Sequence, residues 1–369
     1  MMRLVVTGAG GFIGKNLLLR LKELGRYEVT PIEIDSTDAE LRGALAHADA
    51  VVHLAGINRP NNPADFVTGN RGSVEALIAA IEDSGRRVPI VLTSSIQAEG
   101  DSAYGASKKA AEDELLAFAA RTGNPAYVLR LPNVFGKWCR PNYNSAVSTF
   151  CHNIARGLPI AVNDPAAPLS LVYIDDVVTA IVALLDSGDG MSGFREIDPV
   201  YRTTVGEVAG MIQRFRDDRE DALIEAVGTG LTRALYATYV AALPPKDFSY
   251  PLVAHTDPRG SFSEMLKTRD SGQISFFTAH PGVTRGGHYH HTKTEKFLVV
   301  KGRARFKFRH MLTGETHEIL TSDAEPTVVE TVPGWTHDIT NVGDDMLISV
   351  LWANEIFDRE RPDTIQEAV

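Results

Sequence analysis

A disulfide framework, a membrane span and a basic surface are all missing from this chain of 369 residues. Cys139 and Cys151 are its two cysteines, too few for a stapled scaffold, which points to a reducing, cytoplasmic setting. No apolar stretch approaches the ~20 residues that a spanning helix needs, so no membrane partner is expected. The first residues are apolar only briefly before glycines interrupt them, unlike a secretory leader. Acidic residues outnumber basic ones, 47 to 37, for a net charge of -10. A protein that coats phosphates should be basic, so no nucleic-acid partner is expected either. Repeats and low-complexity tracts are also missing. What is there is a globular composition, 44% hydrophobic and 23% charged, at a length that calls for two or three domains.

Short apolar runs alternate with helical patterns over the first two thirds. Arg3 to Thr7 precedes a glycine loop, and leucines at 17, 18, 21 and 24 mark a helix. Further runs follow at 29–34, 50–54, 90–93 and 127–131. Such alternation predicts βαβ units, a doubly wound parallel sheet of Rossmann type. The proline-rich stretch Leu243 to Pro251 reads as a linker. Strand-like segments without long helical periodicity come after it, predicting a small antiparallel all-β barrel or sandwich. The expected domains are therefore 1–243 and 253–369, joined by a linker at 244–252.

Gly8, Gly11 and Gly14 follow the first strand and open the first helix. At that place a backbone must turn tightly, admit a pyrophosphate and pack helix on strand, and a Cβ obstructs each step. Helix N-terminal N–H groups then meet the phosphates, and Phe12 and Ile13 belong to the same cofactor-binding turn. Glu33 and Asp35 lie where an acid that binds a ribose 2′-hydroxyl is expected. A carboxylate there repels a 2′-phosphate and favours NAD, while basic loop residues elsewhere leave NADP open. Tyr104 and Lys108 share one helix face if their segment is helical. An ammonium near a phenol favours the phenolate, so the tyrosine can exchange a proton with a carbonyl oxygen as hydride moves. Ser95, at a strand end upstream, can hydrogen-bond the same oxygen.

With these motifs the first 243 residues resemble an extended short-chain dehydrogenase/reductase, a class that works largely on nucleotide sugars. Asp49 to Gly56 resembles the strand lining the cofactor, which brings in Leu54, Ala55 and Gly56. Arg130 to Gly136 and Leu169 to Ile181 resemble its downstream stretches. The resemblance implies that Ser95, Tyr104 and Lys108 are catalytic, with Tyr104 and Lys108 also touching the cofactor. In one respect the chain departs from the pattern: the span before Asp49 is short, and a strand carrying an adenine-contacting Asp is hard to find. Asn133, Lys137, Arg140 and Asn142 follow the later strand in a positive, amide-rich loop suited to a diphosphate and a sugar.

His288 and His290 flank Tyr289, so on a strand both imidazoles point to one face. Glu295 and His337 complete an N₃O set that suits zinc, or iron, manganese or nickel. The run from Gly282 through His288, His290, Glu295 and Gly302, then Gly334, His337 and Asn341, resembles the two motifs of a metal-binding cupin, a jelly-roll barrel. The proline of the second motif stands one place off, at Pro333.

Reductase followed by cupin resembles the bifunctional UDP-sugar enzymes of capsule and O-antigen synthesis, on the path to UDP-N-acetyl-L-fucosamine. The likeness runs through Asp257 to Phe262 and through the ending Asn354 to Thr364. It implies that the cupin inverts C3 of a UDP-2-acetamido-2,6-dideoxy-4-hexulose. The reductase then reduces the C4 ketone to the L-talose product, in a homodimer. For the epimerisation base His290, Lys296 and Lys301 are open. A single-activity reductase whose cupin serves dimerisation, and a nucleotide-sugar sensor without turnover, are the alternatives.

Overall fold

The computed structural model describes residues 1–60, 62, 64–187, 190–220, 223–251, 255–257, 260–262, 266–268, 272–355 and 360–369. By its contacts the chain divides into two units, one of 1–135 with 169–203 and one of 136–168 with 204–369. Residues 136–168 and 204–243, kept with the reductase in the reading of the sequence, thus group with the β-rich part. The expected domain start at Val253 lies outside the described residues, as do 258–259 and 356–359 within the stretches that carry the resemblance.

In the first unit β1 (Met2–Thr7), β2 (Tyr27–Ile32), β3 (Ala50–His53), β4 (Ile90–Ser95) and β5 (Ala126–Leu131) join a strand at Gly193–Arg195. All run parallel in the order β2-β1-β3-β4-β5 and then the last strand. Their aliphatic runs are buried on both faces, as a helix-covered parallel sheet requires. Val5, Val51, Ile90, Leu92 and Val128 pack with Leu77 and Ile81 of α3 (Ser73–Ser84) and with Leu115 and Phe118 of α4 (Ala103–Thr122). Helix α1 (Phe12–Leu24) leaves β1, and α2 (Asp38–Leu45) carries the chain from β2 to β3 with no strand between. That accounts for the short span before Asp49: the sheet ends at β2. Because β1 connects outward to β2 and inward lies beside β3, the strand order reverses there. Ligands of open α/β sheets bind outside the strand ends at such a switch.

The second unit holds α5 (Ala146–Ala155), α7 (Val205–Glu220) and α8 (Gly230–Ala241), whereas α6 (Ile174–Ser187) belongs to the first. Beside those helices stand two five-stranded sheets. One orders Ser249–Pro251, Thr327–Glu330, Glu295–Lys301, Leu347–Ala353 and Gln273–Ala279; the other orders Thr316–Ser322, Arg303–His310, Trp335–Asn341, Thr284–Tyr289 and Ile365–Gln366. Their pairings are antiparallel. Along Arg303–His310 the residues Ala304, Phe306 and Phe308 are buried and the basic ones between them are not, the period of a strand with one solvated face. Phe297 and Phe306 join the two sheets with ring centroids 5.6 Å apart. The α/β parallel sheet and the all-β part expected from the sequence are both present.

Buried charge fastens the helices to the strands of this unit. Arg219 on α7 lies 2.8 Å from Glu330, and Lys296 pairs with the same carboxylate. The Arg219 guanidinium also stands 4.5 Å over the Tyr250 ring. Burial pushes the Glu330 carboxyl up, yet the two cations outweigh it and hold it below its usual range. A carboxylate so placed costs several kcal/mol to bury without partners.

Candidate functional sites

Absent side chains build the first site. Gly8 adopts φ +66, and a Cβ there would meet Ala55 N at 2.8 Å. A Cβ on Gly14 would stand 2.3 Å from the Ala9 carbonyl, so helix and loop touch only because it is missing. Gly11 caps α1 without a side-chain acceptor, which leaves the first N–H groups of the helix open toward a phosphate. The ends of β1 and β3 are tied by Leu54 N–H to the Thr7 carbonyl at 3.1 Å and Ala55 N–H to the Thr7 hydroxyl at 3.3 Å. Gly10, outside the expected spacing, lies against the Glu33 carboxylate, where a Cβ would come within 3.0 Å of Oε1. Glu33 is thus the acid that the fold brings to the loop; Asp35 is exposed two residues on. This cradle fits the dinucleotide, and a Cβ at any of these glycines would fill it.

Glycine also brings the tyrosine to its serine. Ser102 caps α4 by accepting the Gly105 N–H at 2.9 Å, and a Cβ on Gly105 would lie 2.1 Å from the Gln97 carbonyl. The first turn of α4 therefore rests on the turn at 96–99, which brings Tyr104 close to Ser95. Burial raises the Tyr104 phenol and the nearby Ser95 hydroxyl opposes it. Lys108 is buried one turn on and donates to the Thr93 carbonyl at 3.0 Å. Its ammonium lies 3.6 Å from where a Gly56 Cβ would stand, beside the cofactor strand. Burial lowers its pKa to about 8 against the upward pull of Glu112.

Two residues that support this pocket were not anticipated. Glu112, fully buried on α4, accepts from the Ser94 hydroxyl at 2.5 Å and from Arg130 Nη2 at 2.6 Å. Its place four residues after Lys108 was a legible signal. Asn70 donates to the Ser107 hydroxyl at 2.9 Å and exchanges two hydrogen bonds with the Ile57 backbone. No local pattern marks it.

The expected sugar-diphosphate residues divide between the two units. Asn133 lies in the first unit, its amide donating to the Ser170 carbonyl at 3.2 Å. Lys137, Arg140 and Asn142 lie in the second. Lys137 is buried there, lining a cavity of about 270 Å³ with Trp138, Cys139, His152, His310 and Trp335. Arg140 stands 5.1 Å over the Tyr143 ring, and Asn142, at φ 54, donates its N–H to Thr149 at 3.0 Å.

All four expected metal ligands do gather. His288, His290, Glu295 and His337 present one ligand atom each, and these atoms lie within 4.8 Å of one another. Pairing places His288 opposite His337, and a bulge between Gly286 and His288 aims the first imidazole. His290 Nε2 lies 3.3 Å from Glu295 Oε2, and Lys293 Nζ is 2.8 Å from Oε1. Burial pushes the Glu295 carboxyl up, but the neighbouring His290 and His337 imidazoles and the Lys293 ammonium outweigh it and hold it well below its usual range. Burial, with the neighbouring imidazoles, keeps His288 near 3 and so neutral, as a ligand must be. Both ring nitrogens of buried His337 lack a hydrogen bond, with Nε2 3.7 Å from Glu295. Orphaned, buried and neutral, that imidazole fits a divalent cation. Among the three residues open as bases, Lys296 is committed to Glu330, His290 to the cluster, and Lys301 is exposed.

Comparison with known proteins bears on both sites. The family model of the NAD dependent epimerase/dehydratase family matches residues 4–197, and that of the polysaccharide biosynthesis C-terminal domain matches 255–365. A UDP-2-acetamido-2,6-beta-L-arabino-hexul-4-ose reductase of Pseudomonas aeruginosa is 54% identical over 98% of each chain. The capsular polysaccharide assembling protein CapF of Staphylococcus aureus matches over 100% of both chains, at 39% identity and a TM-score of 0.68. UDP-glucuronic acid 4-epimerase of Bacillus cereus, solved with NAD, shares the fold at 21% identity and a TM-score of 0.53, over 58% of this chain and 84% of its own.

Proposed function

The chain belongs to the NAD dependent epimerase/dehydratase family, and on that premise we propose that it is a two-step nucleotide-sugar enzyme. Its β-rich unit epimerises C3 of UDP-2-acetamido-2,6-dideoxy-4-hexulose, and its reductase site then reduces the C4 ketone to UDP-2-acetamido-2,6-dideoxy-L-talose for a surface polysaccharide. The observation that carries the reading is one chain holding both a Ser95–Tyr104 pair above a buried lysine and a four-ligand cluster.

A ketone at C4 acidifies the neighbouring C3–H, so C3 can be inverted only while the ketone lasts. Reduction removes the ketone and locks the new configuration. Tyr104 delivers the proton to the C4 oxygen and Ser95 hydrogen-bonds that oxygen, while the Lys108 ammonium favours the phenolate left behind. The nicotinamide, when bound, supplies the hydride; Gly8, Gly11 and Gly14 make room for its pyrophosphate, with Phe12, Ile13 and Leu54 to Gly56 around it. The Glu33 carboxylate, and the pairing of Arg42 with Asp38 and Asp83, support NAD over NADP. A divalent ion held by His288, His290, Glu295 and His337, zinc by its N₃O donors, supplies a Lewis acid for a substrate oxygen. Lys137, Arg140, Asn142 and Asn133 remain the proposed contacts to the UDP-sugar. No helix among the described residues is long and apolar enough to cross a membrane. A cytoplasmic homodimer is part of the proposal, resting on the resemblance and on two free cysteines.

Incubation with the 4-keto-6-deoxy UDP-HexNAc in D₂O, with NADH and NADPH in parallel, tests the reading by NMR. Tyr104→Phe should slow reduction by about 10²- to 10⁴-fold while C3–H exchange persists. Loss of exchange together with reduction would sink the division of labour. A structural ion in a single-activity reductase is the second reading, favoured by the four-ligand count, since structural zinc sites are closed. Ketone reduction by the folded, metal-loaded protein with no C3–H exchange above the uncatalysed rate would favour that one.

A further inference from the structure

Segment 363–368 touches the strands of His288 and His337 and the turn that joins His290 to Glu295. The Asp363 carboxylate accepts the backbone N–H of His291 at 2.8 Å, those of Thr292 and Lys293 at 2.7 Å, and the Thr292 hydroxyl at 3.0 Å. Three successive N–H groups converging on one anion make a backbone nest. The backbone carbonyl of Asp363 is bonded to Nδ1 of His290. Two residues on, Ile365 and Gln366 pair with Tyr289 and His288. Glu367 donates its N–H to the Gly287 carbonyl at 2.9 Å, and its own carbonyl accepts the Thr336 hydroxyl at 2.5 Å, next to His337.

The two acceptors of Asp363, its backbone carbonyl and its carboxylate, have different consequences. A carbonyl only accepts, so His290 must carry its proton on Nδ1, and Nε2 is left with its lone pair toward the cluster. The carboxylate fixes the turn 291–293, which joins the His290 strand end to Glu295. Without it, three N–H groups in a turn between two ligands would lose their acceptor.

We propose that Asp363 is a positioning residue of the metal centre, setting the tautomer of His290 and the separation of His290 from Glu295 before the ion arrives. The proposal rests on the reading of the four-residue cluster as a metal site. Residue 363 makes no contact with the ion in this scheme; it acts through the ligands on either side of the turn.

The test is zinc affinity of the metal-stripped, full-length protein, measured by competition with a chromogenic chelator, with Co²⁺ absorption as a second probe of ligand geometry. Asp363→Ala should weaken zinc binding by roughly 10- to 100-fold and reduce the tetrahedral Co²⁺ bands. Asp363→Asn keeps the shape and one accepting oxygen and should fall between. If Asp363→Ala does not fold, the isosteric Asn variant carries the measurement. Wild-type affinity and Co²⁺ spectra in the folded variants, with only the melting temperature lowered, would overturn the proposal and leave a structural role. His337→Ala separates the two claims. Should wild type and His337→Ala take up zinc equally, the metal reading itself fails; should only His337→Ala lose it, the failure belongs to Asp363.

Discussion

The dinucleotide cradle and the histidine cluster are built by opposite means. The first is made by backbone: Gly8, Gly10 and Gly14 let loop, strand and helix approach until a single Cβ would collide. The second is made by side chains, four heteroatoms converging from three segments and held by groups that are not themselves ligands. A site of the first kind tolerates no added atom, and a site of the second kind is limited by what supports it. They should therefore fail differently.

The largest expected effect lies away from both. Glu330→Gln leaves Lys296 and Arg219 buried without their carboxylate, and should destabilise the second unit by about 3–5 kcal/mol. Denaturant unfolding should show that loss, with NADH binding preserved in the fraction still folded. If stability is unchanged, buried charge does not fasten helices to strands there. Gly14→Ala comes next: a Cβ 2.3 Å from a carbonyl oxygen should weaken NADH binding about 100-fold, just under 3 kcal/mol. Fluorescence titration measures it, and zinc uptake should not change; a parallel loss of zinc would erase the contrast between the sites. Smallest is the pH dependence. In the proposed step ketone reduction needs Lys108 charged and Tyr104 protonated, so kcat/KM should fall as pH rises through about 8, the lysine value, by about tenfold per unit above it. Tyr104 is raised and titrates later. A profile flat to pH 10, or one unmoved by Lys108→Arg, would remove Lys108 from the step.

Much of this was legible in the chain, for reasons tied to local geometry. A glycine loop between strand and helix, a Tyr–Lys pair one turn apart and a His-x-His strand are all short-range constraints, so spacing alone exposes them. Asp363 is not short-range: it meets His290 and the turn after it from at least seventy residues away, largely through backbone groups that carry no sequence identity. Asn70 is hidden for the same reason. The grouping of 136–168 and 204–243 with the β-strands was hidden too, because a proline-rich stretch marks a change of composition and says nothing of contacts. Lys137 shows the limit of loop chemistry. Its neighbours suit a diphosphate and a sugar, and nothing in them foretold that the side chain would be buried beside Trp138.

Trp138 itself points to one more consequence. Its indole lies where a Cβ on Gly334 would stand, 2.6 Å from Cζ2, three residues before His337. Phe248 likewise seats its ring against Trp335 at 5.2 Å, and Arg219 reaches Glu330. A gene cut at the proline-rich stretch would strip the β-rich part of all three, exposing a tryptophan and stranding a carboxylate. The β-rich part could not be exchanged as a cassette between polypeptides at that seam. A recombinant exchange would have to carry residues 136–168 and 204–251 along with the strands they pack on.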